Sequence, residues 1–504
     1  MSSIQTPAMM GFRAAVWIAL LAVATLSVWA IQQGVAMGLA ALALLGAAIF
    51  MFVKPNTGTV LFLALAYTNA PVLLGQRIAS PHLLGAAMTV LIMVPIVVHV
   101  AKRRGLVVDY SFLLMLLLLG ALAISTMFSV DSGIAVNWVL SYLIEGVLIY
   151  VLVLNAIRNI GSLKTAMWTL IVVGAILGGL ALYQELLGSY RQDFGGLMQR
   201  NTERMENEAQ GGLVRERESV TVSNRAGGPT GGPNRFAQIL IVILPLAFFR
   251  ARDERAKPLR LLAMAAAFFL LSGFFLTYSR GGFLTFAVLC AIMMALRYIR
   301  FGHVVAGGLL GALMVTIVAP GFYERIDTMR VIPQLLSNRE VVSGHGAIRG
   351  RLTETLAALN VFFDHPVLGV GPGQFTPFYS VDYMDDPDVA FRSIAKTRRS
   401  HCLYAELAAE TGVVGITLFG ALVCLLLTRL WKLRMRLQQQ RPELAHLALA
   451  FWLAILGYLG TAWFLQLSYQ RYMWILFALA GAAVQVLQAE VPEEEEEEIR
   501  LRAA

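Results

Sequence analysis

The sequence predicts an all-α, polytopic integral membrane protein of about 14 transmembrane helices, with a large outer loop that carries an amphipathic helix. Three observations support this prediction. Of the 504 residues, 58% are hydrophobic and only 14% are charged, whereas a soluble chain carries roughly 25% charged residues. Apolar segments of bilayer length recur along the chain. Lysine and arginine are concentrated in alternate connecting loops.

The apolar segments are about 15–26 residues long, near the length that crosses the hydrocarbon core of a bilayer. The first is long enough to be a span rather than a cleavable signal. The predicted spans are residues 14–31, 35–53, 59–75, 82–100, 110–128, 135–156, 165–188, 236–250, 261–278, 282–299, 302–320, 403–428, 446–467 and 472–488.

The distribution of basic residues predicts the orientation. The clusters Arg250 to Arg260 and Arg429 to Arg441 fall in loops on one side of the membrane. Short loops on the other side hold only Arg77, Arg280 and Arg471. Because cytoplasmic loops carry the excess of lysine and arginine, we expect both termini to be cytoplasmic.

Two long polar loops, 189–235 and 321–402, fall on the outer side in this topology. Gly-Gly pairs predict that the first is mobile and polar. In the second, Gly350–Asp364 (GRLTETLAALNVFFD) has apolar residues at helical spacing, which predicts an amphipathic helix on the membrane surface. Its predicted apolar face is Leu352, Leu356, Leu359 and Phe363. His365-Pro366 ends this helix, and the Gly-rich turn VLGVGPGQF follows.

The chain therefore divides into five regions. They are N-terminal transmembrane helices (1–188), an outer polar loop (189–235), a core that includes the large outer loop 321–402 (236–428), C-terminal transmembrane helices (429–488) and an acidic cytoplasmic tail (489–504). Within the tail, Glu493–Glu498 is typical of a solvated charge run.

Composition and motifs exclude several functions. Cys290, Cys402 and Cys424 are too few and too scattered for a disulfide framework or a zinc site. The net charge of +9 comes in short basic runs between apolar segments, a pattern of membrane orientation rather than nucleic-acid binding. A nucleotide-binding loop, a metal-ligand cluster and a serine elbow are all missing from the sequence. We therefore expect no cofactor, no metal and no nucleic-acid partner.

The first candidate site is Thr277-Tyr278-Ser279-Arg280-Gly281-Gly282, where two apolar spans meet with almost no loop. An arginine held at this depth beside small glycines could point into a cleft and bind phosphate oxygens, because its fork-shaped guanidinium stays charged. The alternative is a plain turn whose Arg280 extends to lipid headgroups.

The second candidate site is His401, at the end of the large outer loop and the start of the twelfth span. At 100° per residue, Ala405, Ala408, Gly412 and Gly415 would share its helix face, which predicts a close helix–helix seam. A neutral histidine there could act as a base toward a hydroxyl, or it could be an interfacial histidine without a role. Tyr404 lies close by, and Glu406 and Glu410 share another face and need partners.

Several other charged residues are candidates for an electropositive outer rim that binds an anionic substrate, with simple solvation as the alternative. They are Arg349, Arg351, Arg392, Lys396, Arg398 and Arg399. Arg235 enters the eighth span after a Pro-Asn turn signal and is expected at the outer surface. Glu145 lies alone within the sixth span, where it is structural or pairs with a buried arginine.

Four segments, taken in order, resemble the bacterial O-antigen ligase and polymerase superfamily of membrane glycan transferases. They are PNRFA at 233–237, TYSRGG at 277–282, GRLTETL…FFDHPVLGVGPGQF at 350–375 and HCLYAELAAETGVVG at 401–415. A large outer loop that ends at a histidine before a span is typical of that family. Two features depart from it: Cys402 replaces a more usual polar residue, and loop 189–235 is long for a ligase.

The resemblance implies transfer of a glycan from an undecaprenyl-pyrophosphate carrier to an acceptor at the outer leaflet. This leaflet is the periplasmic face of a bacterial inner membrane. The acceptor is a lipid in the ligases and another lipid-linked glycan in the polymerases. The family uses neither a metal nor a nucleotide. Carried onto this sequence, the resemblance makes His401 the catalytic group. Expected substrate contacts are Arg280, Arg351, Arg349, Arg235, Tyr404 and Glu410.

Two functions of other classes compete with a glycan transferase. A transporter would place polar groups near the bilayer midplane, often on broken helices in repeated halves, whereas here the polar groups cluster at the outer ends of spans. A scaffold for envelope assembly would make His401 and Arg280 dispensable.

Overall fold

The structure, a computed structural model, describes residues 55–75, 105–204, 220–302, 308, 346–386, 389, 397–466 and 470–491. The described residues form helices with one small sheet. The helices are α1 Pro55–Tyr67, α2 Ala70–Gly75, α3 Tyr110–Thr126, α4 Ser132–Ser141, α5 Ile149–Ala156, α6 Ile160–Leu186, α7 Pro233–Asp253, α8 Lys257–Phe275, α9 Arg280–Ala295, α10 Gly346–Asp364, α11 Ser380–Met384, α12 Leu403–Leu437, α13 Pro442–Ala462 and α14 Gln470–Gln488. A π-helical segment, Tyr142–Leu148, joins α4 to α5, and a second, Phe375–Tyr379, precedes α11.

Seven helices within the described part of the chain are long and apolar enough to cross a membrane. They are Ser132–Ala156, Ile160–Leu186, Pro233–Asp253, Lys257–Phe275, Leu403–Leu437, Pro442–Ala462 and Arg471–Gln488. Shorter apolar helices occupy Gly58–Tyr67, Tyr110–Thr126 and Arg280–Ala295. The prediction of a multi-pass helical membrane protein is therefore confirmed.

Not every predicted span can be compared with the structure. The segments 14–31, 35–53 and 82–100 lie outside the described residues, as does almost all of 302–320. The predicted span 59–75 is wrong as a single helix, because Asn69 has a φ of 55° and separates α1 from α2. Backbone in that left-handed region ends a right-handed helix, and asparagine adopts it more readily than most side chains.

The polar loop 189–235 contains an antiparallel hairpin that was not predicted from the sequence. Strand β1 (Gln199–Arg204) pairs with β2 (Val220–Gly228). The end of β2 is attached to the helices: the Ala226 amide donates to the Leu276 carbonyl at 3.0 Å, just after α8. Part of this loop is therefore docked against the helix bundle.

Ion pairs gather at the end of the bundle where α7 and α12 finish and α13 begins. Arg255 pairs with Glu443 at 3.2 Å, and His446 lies 2.8 Å from Asp253. Arg250 pairs with Glu254, and Arg441 pairs with Glu490. The two basic clusters that were predicted to share one side of the membrane thus lie together.

Helix α12 is interrupted at Gly412, whose φ of 63° and ψ of −163° are not helical. A segment of the large loop fills the gap by backbone pairing. Val370 and Gly371 donate to the carbonyls of Ala409 and Glu410, both at 3.0 Å. In return, the Val413 amide donates to the Pro366 carbonyl at 2.7 Å. The break therefore leaves these peptide groups hydrogen-bonded, as burial in an apolar protein requires.

The filling segment is also attached to the helices beside it. The Gln374 side chain accepts from the Asp131 amide at 2.9 Å and donates to the Asp131 carbonyl at 3.0 Å. The Ser125 hydroxyl donates to the Leu368 carbonyl at 2.8 Å. Residues 366–375 are thus fixed between α12 and the connection from α3 to α4.

A second, smaller core forms above the break. Helix α10 confirms the predicted helix. Of its predicted apolar face, Leu356 and Leu359 are partly buried against this core, whereas Phe363 is 69% exposed. The face that packs against α12 carries small residues, because small side chains let two helices approach closely. The buried members of this core include Ala357, Ala358, Val361, Cys402, Ala405 and Ala409.

The far end of α10 is tied to α11 by a tyrosine. The Tyr383 hydroxyl donates to Asp364 at 2.6 Å. Burial and this hydrogen bond raise the pKa of Tyr383 to about 12. The phenol is therefore protonated at neutral pH and remains a donor that holds the end of α10.

Gly412→Ala is expected to destabilise the protein by more than about 2 kcal/mol, because the backbone conformation is essentially restricted to glycine. An added Cβ would also overlap the Val367 carbonyl. Gly420→Ala is the matched control, since it lies on the same helix with open space around it. Thermal unfolding of the purified proteins in detergent measures both. Equal midpoints for the two variants would contradict the role given to the break.

Candidate functional site

His401 lies just before α12, not within it. The helix begins at Leu403, and Cys402 is its N-cap residue with extended backbone angles. The prediction that His401 shares a helix face with Ala405 and Gly412 is therefore wrong. Of the predicted small-residue stripe, Ala405 packs in a seam between α10 and α12, together with Ala409, which was not predicted to belong to it.

The His401 ring is held by a carboxylate from α10. Nδ1 lies 2.5 Å from Oε2 of Glu354, a residue that is 1% exposed. About a third of the His401 side chain remains exposed, at 33%. The geometry therefore fixes one nitrogen of the ring and leaves the other edge of the ring toward the surface.

Two arginines of the predicted basic rim lie beside His401. Nη1 of Arg398 is 3.7 Å from the other oxygen of Glu354. Nε of Arg399 is 3.0 Å from the wholly buried Glu406, and the Arg399 guanidinium lies 4.9 Å from the centre of the Trp138 ring. The partner that the sequence analysis required for Glu406 is therefore Arg399.

Glu410 has no comparable basic partner among the described ion pairs. It is 2% exposed, and within the described structure its Oε1 has no hydrogen-bond partner. The carboxyl lines an otherwise mostly apolar cavity of about 40 Å³ beside Trp138 and Pro372. A cavity of this size holds about one or two water molecules rather than a sugar.

Arg280 is the first residue of α9. The preceding Ser279 caps that helix by accepting from the Gly282 amide at 3.3 Å, and Tyr278 has a φ of 50°. The hairpin braces this turn, because Nε of Arg225 donates to the Thr277 carbonyl at 2.9 Å. The Arg280 side chain is partly exposed and interacts with other residues of the protein.

Three of the four sequence motifs converge on one end of α13. The Tyr404 hydroxyl donates to the Leu459 carbonyl at 2.7 Å. Gly281, next to Arg280, faces the ring of Phe464 closely. The guanidinium of Arg235 donates to the Gln466 carbonyl at 2.8 Å. The residues flanking Arg280 and His401 therefore contact the same short segment, 459–466.

Arg235 is buried rather than displayed. It is 4% exposed and also donates to Gln238 at 2.6 Å. At the same end of the bundle, Arg471 pairs with Glu145 at 3.0 Å. The second of the two interpretations of Glu145, pairing with an arginine, is thus the one that the structure supports.

Of the remaining predicted residues, the structure describes the side chain of Arg351. Arg351 lies in the first turns of α10, is partly buried and has interactions within the protein. The side chain of Arg349 lies outside the described residues, as do Arg392 and Lys396. Burial raises the pKa of the Cys402 thiol, so at neutral pH this N-cap residue is an uncharged thiol.

Glu354 is the residue of this site that the sequence analysis missed. It lies outside the predicted apolar face of an amphipathic helix, where an acid is ordinary. Its position three residues after Arg351 gave no sign of burial, because the small residues that pack beside it, Ala357 and Ala358, are weakly hydrophobic. No cluster of His, Cys, Asp and Glu able to hold a metal ion occurs among the residues with described positions.

Together the fold and the site define a multi-pass helical membrane protein with a polar site at one end of its bundle. Residues 265–420 match the family model described as O-Antigen ligase. The match contains TYSRGG, the α10 segment and the histidine motif, whereas PNRFA at 233–237 lies outside it. This match supports an O-antigen ligase-like, glycan-processing function in a membrane. No curated protein matches the chain.

Proposed function

We propose that this protein is a glycosyltransferase that moves a glycan from an undecaprenyl-pyrophosphate carrier to an acceptor at the outer leaflet. The observation that carries the proposal is the partly exposed imidazole of His401, which lies inside the matched domain. It sits beside Arg398 at the end of the bundle where the motifs converge. Other partners are the bilayer itself and an acceptor lipid or glycan.

The chemistry is a displacement at the anomeric carbon of the donor. The acceptor oxygen forms the new bond to that carbon, and the bond from carbon to the pyrophosphate oxygen breaks. His401 takes the proton of the acceptor hydroxyl, as a general base must when the nucleophile is an alcohol. The pyrophosphate leaves with the electron pair, and preorganised positive charge stabilises it.

Arginines supply that positive charge in this proposal, without a metal ion. Arg280 and Arg351 contact the pyrophosphate or a charged part of the glycan, and Arg349 is a further substrate contact in this proposal. Arg235 and Tyr404 contribute indirectly, since their contacts to Gln466 and Leu459 hold the end of α13 in place. Glu410 acts from the wall of the small cavity, where an acid beside bound water can orient a polar group.

The acceptor distinguishes two versions of the proposal. In a ligase it is a lipid, such as the core of a lipopolysaccharide, and in a polymerase it is a second lipid-linked glycan. Incubation with one defined lipid-linked glycan separates them. A polymerase gives a ladder of lengthened products from that substrate alone, whereas a ligase needs the lipid acceptor and adds the glycan once.

In the proposed orientation the protein lies in a bacterial inner membrane. Both termini are in the cytoplasm, and the site faces the periplasm. The end with Arg255 and His446, near the basic clusters, would face the cytoplasm under the positive-inside rule. The His401 end would then face outward.

His401→Ala is expected to lower transfer by several orders of magnitude, because no other group takes the proton of the acceptor. The residual rate then comes from substrate positioning and fixed positive charge alone. His401→Gln keeps a polar side chain but cannot accept a proton at neutral pH, so it should fail as well. Transfer is measured in vitro with purified protein and a defined lipid-linked donor, and thermal unfolding is the control for folding. A rate for Gln near the wild type would make His401 an orienting group, and a normal rate for Ala would exclude the proposed chemistry.

Arg280→Lys is expected to impair transfer although the charge is kept, because lysine cannot form the two-pronged contact that a guanidinium makes with a phosphate group. Initial rates at several donor concentrations measure the effect. Arg255→Lys is the matched control, since Arg255 is an exposed arginine at the opposite end of the bundle. Full activity of Arg280→Ala at normal protein levels would contradict the assignment.

Single cysteines at exposed positions test the orientation in a variant without native cysteines. Arg191→Cys and Asp382→Cys, in the two long loops, should react with a membrane-impermeant thiol reagent in intact spheroplasts. Arg255→Cys should react only after lysis. Labelling in the reverse pattern would invert the topology and remove the periplasmic site.

A further inference from the structure

We propose that Glu354 is the positioning residue for His401: its buried carboxylate fixes the imidazole ring so that Nε2 meets the acceptor hydroxyl, and it stabilises the imidazolium formed during transfer. This inference rests on the proposed function, in which His401 is the base. Glu354 would thus act through His401 and would not itself touch the substrate.

The side chains of His401 and Glu354 are in direct contact. Nδ1 of His401 and Oε2 of Glu354 are 2.5 Å apart, and Glu354 comes from a different element, the third turn of α10. An ionised carboxylate only accepts hydrogen bonds. Beside an ionised Glu354, Nδ1 is the nitrogen that carries the proton, and this leaves the lone pair on Nε2, on the far side of the ring.

Burying the Glu354 carboxylate costs free energy. Glu354 is 1% exposed, and its neighbours on the same face, Thr353 and Ala357, are wholly buried. A carboxylate removed from water is unfavourable unless charged or hydrogen-bonding groups compensate it. The compensating groups in the described structure are the His401 ring and Nη1 of Arg398. An apolar side chain would fill the space without this cost, so packing alone does not explain an acid.

Glu354 and His401 are surrounded by closely packed helices. Ala357 and Ala358 of α10 pack with Ala405 and Ala409 of α12 in one buried cluster. Helix α12 is fixed in turn by the segment that fills its break. A base must stay within a fraction of an ångström of its working position, and locked neighbours of this kind provide that.

The step balances without a further reactant. The proton of the acceptor hydroxyl moves to Nε2 as its oxygen bonds to the anomeric carbon, and the pyrophosphate leaves with the electrons of the broken bond. The ring is then an imidazolium whose Nδ1–H faces Glu354. The ring later returns the proton to water or to the released pyrophosphate.

Glu354→Gln is the first test, because glutamine keeps the size of the side chain and removes its charge. We expect kcat to fall on the order of 10²-fold, with KM for the lipid-linked donor little changed. Glu354→Asp keeps the charge and should recover part of the rate. Asp364→Asn is the matched control on the same helix, since its side chain is exposed and bonds to Tyr383 instead. It should transfer at the wild-type rate.

The double variant with His401→Ala separates a positioning role from a structural one. If Glu354 acts through His401, adding Glu354→Gln to His401→Ala should not lower the residual rate further. An additional loss, or a lower unfolding midpoint that accounts for the single variant, would make Glu354 structural. A normal rate for Glu354→Gln would overturn the inference while leaving His401 as the base, whereas a normal rate for His401→Ala would overturn both.

Discussion

The backbone pairing at the break in α12 is the constraint on which the part of this structure around α10 and His401 depends. A helix that stops inside an apolar bundle exposes peptide groups that have no water to bind. Here residues 366–371 supply the missing partners from both sides of Gly412. The same pairing fixes the start of the chain segment that follows α10, and so it sets where α10 can lie. The position of His401 against α10 is a consequence.

This arrangement separates two kinds of residue within the family motifs. In GVGPGQF, Gly369 has a φ of 68° and approaches the backbone of Glu410, and Gln374 bonds both to and from the backbone of Asp131. In TGVVG, Gly412 makes the break. These residues build the scaffold. His401 and Arg280 keep exposed surface, and their polar groups, with Glu354 behind His401, are what a reaction can use.

The sequence predicted the helices well because hydrophobic length is a local property. It failed where the outcome depends on contacts between distant segments. The buried Glu354 and the exposed Phe363 depart from the expected faces of α10, because small residues of α10 pack closely against Ala405 and Ala409. Gly412 looked like one member of a small-residue stripe, since nothing in the local pattern reveals a partner 40 or more residues earlier. The β1–β2 hairpin was not predicted for a similar reason, because its strands are polar and are separated by an intervening segment.

The interrupted helix also bears on the comparison with transporters. In those proteins, broken helices place free backbone groups in a cavity near the bilayer midplane, where they bind substrates and ions. The break at Gly412 is different, since the chain's own loop pairs with the amides and carbonyls around it. The break therefore supports a fixed structure above it, and its paired backbone groups are not available to bind a substrate. Polar groups with exposed surface, such as His401, lie before α12 begins, which fits chemistry at the end of the bundle better than passage through it.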